Sequence, residues 1–140
     1  MTMISGTRTD TALALLRVVI GGTFAAHGAQ KLFVYGLAGV AAGFGKMGVP
    51  LPGVVAPLVG CLEFFGGLAV VAGLFTRPLA AALACDMVGA MVFVHLKNGF
   101  FLPSGAEFVL ALCASALTLA LAGPGGYSVD RVLAERRMRG

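Results

Sequence analysis

Residues 54–75 of the chain read VVAPLVGCLEFFGGLAVVAGLF, an apolar run that contains a single charged residue, Glu63. The hydrocarbon core of a bilayer is about 30 Å thick, and a helix needs about 20 mainly apolar residues to cross it. Three other stretches have the same character, at residues 11–32, 79–96 and 106–122. The sequence therefore predicts four transmembrane helices and an all-α fold.

The composition supports a membrane location and excludes most classes of soluble protein. Hydrophobic residues make up 59 % of the 140 residues and charged residues 11 %, whereas charged residues are about 25 % of an ordinary soluble domain. A soluble domain of this size would need more polar cover for its exposed surface. We therefore predict one domain, residues 1–140, that forms an integral membrane four-helix bundle. The net charge is +4, but no nucleic-acid-binding motif accompanies it, so we expect no nucleic-acid partner.

The connection between the first two predicted spans, residues 33–53, is rich in glycine and proline. Within it Leu37, Val40 and Phe44 have the spacing of one helix face. Such spacing is typical of a short amphipathic helix that lies along a membrane surface. We therefore expect a short interfacial helix between helices 1 and 2.

An even number of spans puts both termini on the same side of the membrane. That side would carry six arginines: Arg8, Arg77, Arg131, Arg136, Arg137 and Arg139. The opposite side would carry three lysines: Lys31, Lys46 and Lys97. The positive-inside rule then predicts cytoplasmic termini in a cell (inner) membrane. Residues 123–140 would form a basic cytoplasmic tail in contact with anionic lipid.

Three charged residues lie inside the predicted spans, where a charge is costly and is a functional candidate by default. They are Arg17, Glu63 and Asp86. A rise of about 1.5 Å per residue places Glu63 near the middle of the membrane and the other two nearer the cytoplasmic side. We expect a structural ion pair in which Arg17 offsets Glu63 and Asp86. In the alternative interpretation the two carboxylates form the proton relay of a small transporter.

A second polar group gathers where the predicted helices reach the outer side of the membrane. Its members are His27, Gln30, Lys31, His95 and Glu107. Spacings of three and four residues place the first three on one helix face. Acids, cations and imidazoles at one level can bind and protonate a carbonyl compound. We therefore predict a ligand-binding site here, although the same residues could serve as interface anchors.

Other features of the sequence limit this prediction. Glu63, next to Gly66 and Gly67, is the second candidate for ligand binding, because glycine leaves room for a flat ring beside the carboxylate.

Asp86 and His95 are nine residues apart, which is half a turn out of phase in an ideal helix, so we do not expect them to face the same spot. Histidine and acidic residues lack metal-ligand spacing, so no metal site is predicted. The three cysteines form no C-x-x-C motif.

An ordered set of short motifs over roughly residues 12–130 resembles the DoxX family of small bacterial membrane proteins. The set is Leu16-Arg17, HGAQKLF at 27–33, GVPLP at 48–52, EFFGG at 63–67, LFTRP at 74–78, His95 with Asn98-Gly99-Phe100, and GPG at 123–125 with Tyr127, Ser128 and Asp130. The family's name links it to a membrane subunit of a thiosulfate:quinone oxidoreductase. Similar proteins are described as partners of redox and thiol-stress enzymes. The resemblance thus implies a quinone as cofactor and a redox protein as partner.

Two main functions are compatible with these observations. The first is an accessory membrane subunit of a redox or quinone-linked system; a self-contained oxidoreductase is not expected, because the chain has no haem motif or dinucleotide fingerprint. The alternative is a non-enzymatic membrane scaffold whose polar residues serve helix packing. Small-residue pairs such as Gly21/Ala25 and Ala80/Ala84 favour close helix contact, within the bundle or in a homo-oligomer. The sequence also allows a third function, that of a small transporter.

Overall fold

The computed structural model describes the backbone of residues 2–140 and the side chains from residue 6 onward. Every regular element in that part of the chain is helical, which confirms the all-α prediction. The α-helices are α1 (Thr2–Ala29), α2 (Gly36–Lys46), α3 (Pro52–Cys61), α4 (Gly67–Ala72), α5 (Thr76–Ala90), α6 (Glu107–Ala122) and α7 (Val129–Arg139). Three π-helical segments, Gln30–Tyr35, Leu62–Gly66 and Met91–His95, and a 3-10 turn, Leu96–Asn98, continue them.

Three of the continuous helical stretches are long and apolar enough to cross a membrane. They are Gly6–Lys46, Pro52–Ala72 and Thr76–Asn98. The fourth apolar helix, α6, has 16 residues, which span about 24 Å at a rise of 1.5 Å per residue. The first helix does not end at residue 32 as predicted. It runs on through a π-helical segment to Gly36, where a φ of 71° marks the start of α2.

Helix α1 packs against the second helical stretch through glycines. A Cβ on Gly21 would lie 2.7 Å from the carbonyl oxygen of Gly67, and one on Gly28 would lie 2.2 Å from the backbone nitrogen of Phe64. Because no side chain separates the two backbones at these points, the helices approach as closely as small residues allow. The predicted small-residue contact at Gly21 is therefore part of an intramolecular seam.

Helices α5 and α6 pack side by side and close the core against α1 and α4. Phe24, Val70, Leu83 and Leu119 are almost fully buried there. Large apolar residues on the outside, such as Leu121, are exposed, as expected for surfaces that face lipid. The core thus fixes the relative positions of the helices that carry the polar side chains.

Arg17 does not pair with the carboxylates that we expected. It is 3 % exposed, and its guanidinium donates to the carbonyl of Pro124 and, at 2.6 Å, to the carbonyl of Tyr127. The prediction of an ion pair with Glu63 or Asp86 is therefore wrong. The chain after α6 returns across the end of the bundle and presents carbonyl groups to the arginine, which sequence spacing does not reveal.

The same end of the bundle is held by two aspartates. Asp10 accepts a hydrogen bond from the backbone nitrogen of Gly126 at 2.6 Å. Asp130 accepts from the backbone nitrogens of Phe75 at 2.9 Å and Thr76 at 3.0 Å, and so caps the start of α5. The predicted basic tail therefore begins as an anchored segment and continues as a helix, α7.

Candidate functional site

A cavity of about 440 Å³ lies between α2, α3 and the second half of the third helical stretch. Its walls are largely apolar, with Phe44 from α2, Met47 directly after it, Val59 from α3, and Phe93 from the third stretch. Four ionisable side chains also line it: Lys31, Glu63, Asp86 and His95. The cavity is thus an apolar space that contains a concentrated set of polar groups.

Lys31 and Glu63 form an ion pair at the cavity. The Lys31 ammonium contacts Glu63 Oε2, and the two side chains are 19 % and 4 % exposed. A buried ion pair is costly to desolvate and persists where its geometry is good. Glu63, which we expected to pair with Arg17, is therefore paired with Lys31, a residue of the predicted outer group.

Asp86 adds a second carboxyl group to this pair. It lines the same cavity as Lys31 and Glu63. Its Oδ2 atom is buried and has no hydrogen-bond partner among the described residues. The cavity wall therefore contains two carboxyl groups and one ammonium group, and Asp86 retains capacity to accept a hydrogen bond or a proton.

His95 is oriented by the loop that precedes α6. Its Nδ1 lies 3.0 Å from the carbonyl oxygen of Ser104. A carbonyl can only accept, so Nδ1 carries the hydrogen, and Nε2 of the neutral ring is an acceptor. Because His95 lines the cavity, this hydrogen bond fixes the position of an imidazole in the cavity wall.

Three of the four ionisable residues at the cavity lie in π-helical segments, and the fourth, Asp86, lies in α5. Lys31 lies in Gln30–Tyr35, Glu63 in Leu62–Gly66, and His95 in Met91–His95. π-Helical turns are rare and occur frequently at functional sites. Each of the three long stretches thus departs from α-helical geometry where it places a polar side chain at the cavity.

One of these segments explains why the expected separation of Asp86 and His95 is wrong. Both residues line the cavity, although an ideal helix would place them half a turn apart. The π-helical segment Met91–His95 lies between them, and its wider turn changes the phase of the following residues. The two side chains therefore reach a common space.

The structure divides the predicted outer site. Lys31 and His95 line the cavity, whereas His27 and Gln30 are exposed and line a separate shallow groove together with Phe33. The His27 ring lies 6.2 Å from that of Phe108. Glu107 faces its own loop, where Oε1 accepts from the backbone nitrogen of Leu102 at 2.6 Å. The five residues therefore do not form one site.

The apolar wall of the cavity contains residues that sequence reasoning did not assign to a site. Phe44 and Met47 belong to α2 or directly follow it. The spacing of Leu37, Val40 and Phe44 did predict the helix, but we expected its apolar face to lie against lipid. Val40 is 7 % exposed, so part of that face packs against protein, and α3 is its main neighbour.

Comparisons with known proteins agree on one family. The family model described as DoxX matches residues 12–96. A Bacillus subtilis protein named "Putative oxidoreductase CatD" is 35 % identical over 83 % of this chain and 82 % of its own length. The Escherichia coli "Inner membrane protein YqjF" is 35 % identical over 89 % of this chain and 93 % of its own length.

A third relative carries no function in its name. The Mycobacterium tuberculosis "Uncharacterized membrane protein Rv3486" is 33 % identical over 86 % of this chain and 80 % of its own length. No solved structure gives a significant match. The relatives therefore identify a class of membrane protein, and one of the three names refers to redox chemistry.

Proposed function

The chain belongs to the DoxX family of membrane proteins, and from this premise we propose that it is an accessory membrane subunit of a quinone-linked redox system. The observation that carries the proposal is the cavity between α2, α3 and the third helical stretch. It combines apolar walls with the polar cluster of Lys31, Glu63, Asp86 and His95. We propose that this cavity binds the head group of the quinone.

The size and lining of the cavity support a ligand of this class. Small-molecule sites generally have volumes of about 300–1,000 Å³, apolar walls and a few placed polar groups. A quinone ring is flat and apolar on its faces and carries oxygen atoms at its edge. Phe44, Met47 and Phe93 can contact the faces, and the polar cluster can bind the oxygen atoms. A quinone when bound supplies two-electron redox chemistry, and this chain supplies the binding and orientation.

The family and one relative support the redox setting. The family's name is linked to a thiosulfate:quinone oxidoreductase, and the Bacillus subtilis relative is named as an oxidoreductase. A soluble redox protein would act as the partner that exchanges electrons with the bound quinone. The chain itself then serves as the membrane component.

The membrane arrangement in this proposal has four spans. Helix α6 would form the fourth, α2 would lie at the outer membrane surface, and both termini would be cytoplasmic. Arg77 and the arginines of α7 lie on the proposed cytoplasmic side, as the positive-inside rule requires. The cavity would then open near the outer surface, where a quinone head group resides while its tail remains in the lipid.

A scaffold is the second candidate function, and the exposed helix α7 favours it. Arg136, Arg137 and Arg139 are exposed there, whereas Asp130 and Ser128 anchor its start. A rigidly anchored cationic helix can bind an acidic protein or anionic lipid. In this alternative the polar cluster serves only helix packing, and the cavity contains no specific ligand.

The two functions differ in what the purified protein retains. We propose to quantify quinone by lipid extraction and mass spectrometry in the unmodified protein and in Gly89→Leu. Gly89 lines the cavity, and a Cβ there meets no atom within 4 Å, so a side chain can start there without a backbone clash and leucine is expected to occupy part of the cavity. Gly22→Leu is the matched control, since Gly22 also has open space around its Cβ and does not line the cavity.

The quinone-linked function predicts that the unmodified protein and Gly22→Leu retain quinone equally. Gly89→Leu should retain about tenfold less, which corresponds to a loss of about 1.4 kcal/mol in binding free energy. Quinone levels no higher than in a detergent extract of an unrelated membrane protein would contradict the proposal and favour the scaffold.

A further inference from the structure

The polar wall of the cavity presents hydrogen-bond acceptors, and this property discriminates between the two redox forms of an aromatic ligand. We infer that the cavity binds the reduced, hydroxyl-bearing hydroquinone more tightly than the oxidised quinone, and this inference rests on the proposed function. A hydroquinone has two O–H donors, whereas a quinone has only carbonyl acceptors. The inference concerns binding and requires no electron transfer by this chain.

The first acceptor is the imidazole of His95. Nδ1 is committed to the carbonyl of Ser104 at 3.0 Å, which fixes the tautomer of the neutral ring with the hydrogen on that atom. The remaining ring nitrogen, Nε2, has a lone pair and no hydrogen. A hydroxyl group can donate to it, whereas a quinone carbonyl would place two lone pairs against each other.

The second set of acceptors is the pair of carboxyl groups. Glu63 and Asp86 line the same cavity, and Asp86 Oδ2 has no donor within the part of the chain that the structure describes. A buried acceptor without a donor is unfavourable, and a ligand that supplies the donor gains affinity. The hydroxyl of a hydroquinone can satisfy the carboxyl cluster in this way.

The cationic donor at the cavity is partly engaged. Of the residues that line the cavity, Lys31 alone carries an ammonium group, and one of its three N–H donors contacts Glu63 Oε2. A quinone carbonyl would have to compete with the Glu63 and Asp86 carboxyl groups, which line the same cavity, for the remaining donors. Charge-assisted pairs of this type are stronger than hydrogen bonds to neutral carbonyls, so the competition favours the carboxylate.

The test compares three ligands that share the same ring and differ in the oxygen substituents on it. They are a short-chain hydroquinone, the corresponding quinone, and the dimethyl ether of the hydroquinone, which keeps the shape and removes the donors. Binding to the purified full-length protein in detergent micelles is measured by calorimetry under anaerobic conditions. We expect the hydroquinone to bind about tenfold more tightly than the other two, because each of them leaves the acceptors unpaired.

Two variants link the preference to the carboxyl cluster. Asp86→Asn replaces an acceptor oxygen by a donor amide of the same shape, so the preference for hydroquinone should fall about threefold or more. Glu135→Gln changes a carboxylate on α7, remote from the cavity, and should leave the preference unchanged. The ligand series on the unmodified protein keeps the inference testable if Asp86→Asn does not fold.

The outcomes separate the inference from the proposed function. Equal affinities, or tighter binding of the quinone, overturn the inference and leave the quinone-linked function in place. Absence of binding for all three ligands overturns both. Tighter binding of the hydroquinone with an unchanged preference in a folded Asp86→Asn protein overturns the role assigned to the carboxyl cluster.

Discussion

Lys31 and Glu63, 32 residues apart in the chain, form an ion pair between two π-helical segments of different helical stretches. The pair links the π-helical segment that follows α1 to the middle of the second stretch. It also lines the cavity to which we assign ligand binding. Structural stability and ligand recognition therefore depend on the same two side chains.

We predict that Lys31→Met destabilises the protein. The substitution leaves the Glu63 carboxylate buried without its cation, and removal of one partner from a buried pair generally costs about 3–5 kcal/mol. Adding Glu63→Gln should recover part of the loss, because it removes the unpaired charge. Thermal unfolding in detergent measures both variants.

The control for this pair is the exposed ion pair of α7. Arg131→Gln breaks the contact with Glu135. The side chains of Arg131 and Glu135 are 61 % and 45 % exposed, and exposed pairs at this spacing contribute only about 0.3–0.5 kcal/mol to stability. The unfolding temperature should scarcely change. A double variant no more stable than Lys31→Met would show that Glu63 does not depend on the lysine.

Gly28→Ala should destabilise the seam between the first two helical stretches. The new Cβ would lie 2.2 Å from the backbone nitrogen of Phe64, so the helices must separate, and overpacking of this kind costs about 1–3 kcal/mol. Gly22→Ala introduces the same methyl group where no atom lies within 4 Å. That control should be neutral or stabilising by up to about 1 kcal/mol. Equal unfolding temperatures for the two variants would contradict the close approach.

Arg17→Leu should release the segment between α6 and α7. The carbonyls of Pro124 and Tyr127 would lose their donor, at a total cost of about 1–3 kcal/mol, since these part-buried carbonyls can regain hydrogen bonds from water. Limited proteolysis should then cleave near residues 123–128 faster than in the unmodified protein. Arg136→Leu, on the exposed part of α7, should not change the rate. Unchanged cleavage in Arg17→Leu would show that other contacts hold this segment.

The proposed orientation predicts that both termini lie in the cytoplasm. Reporter domains fused in turn to the two ends should give a cytoplasmic signal in each case, because the arginines of α7 and Arg77 oppose translocation. A periplasmic signal from one end alone would mean an odd number of spans. A periplasmic signal from both ends would invert the bundle.

Much of the fold follows from the sequence because membrane spans depend on length and apolar composition. Residues 54–75 predict a span that the helical stretch Pro52–Ala72 matches within a few residues. Gly36–Lys46 is also helical, where the spacing of Leu37, Val40 and Phe44 predicts a helix, and its location at the membrane surface stays a prediction. These signals are local, and no distant contact is needed to produce them.

The site was predicted only in part because its geometry depends on non-local contacts and on π-helical turns. Lys31 and His95 were assigned to a ligand site from their positions near helix ends, and Glu63 was the second candidate. The π-helical segment before Leu96 then brings His95 to the same cavity as Asp86. Arg17 was misassigned because its acceptors are backbone carbonyls more than 100 residues away, which no spacing rule detects.

Photoaffinity labelling locates the ligand and tests the central claim that the cavity is the quinone site. A short-chain quinone with a photoreactive azide on its ring is irradiated with the purified protein, and labelled peptides are mapped by mass spectrometry. We expect labels on cavity residues such as Met47 and Phe93, and their loss in Gly89→Leu. Labels confined to the groove around His27 and Phe33, or unchanged in Gly89→Leu, would contradict it.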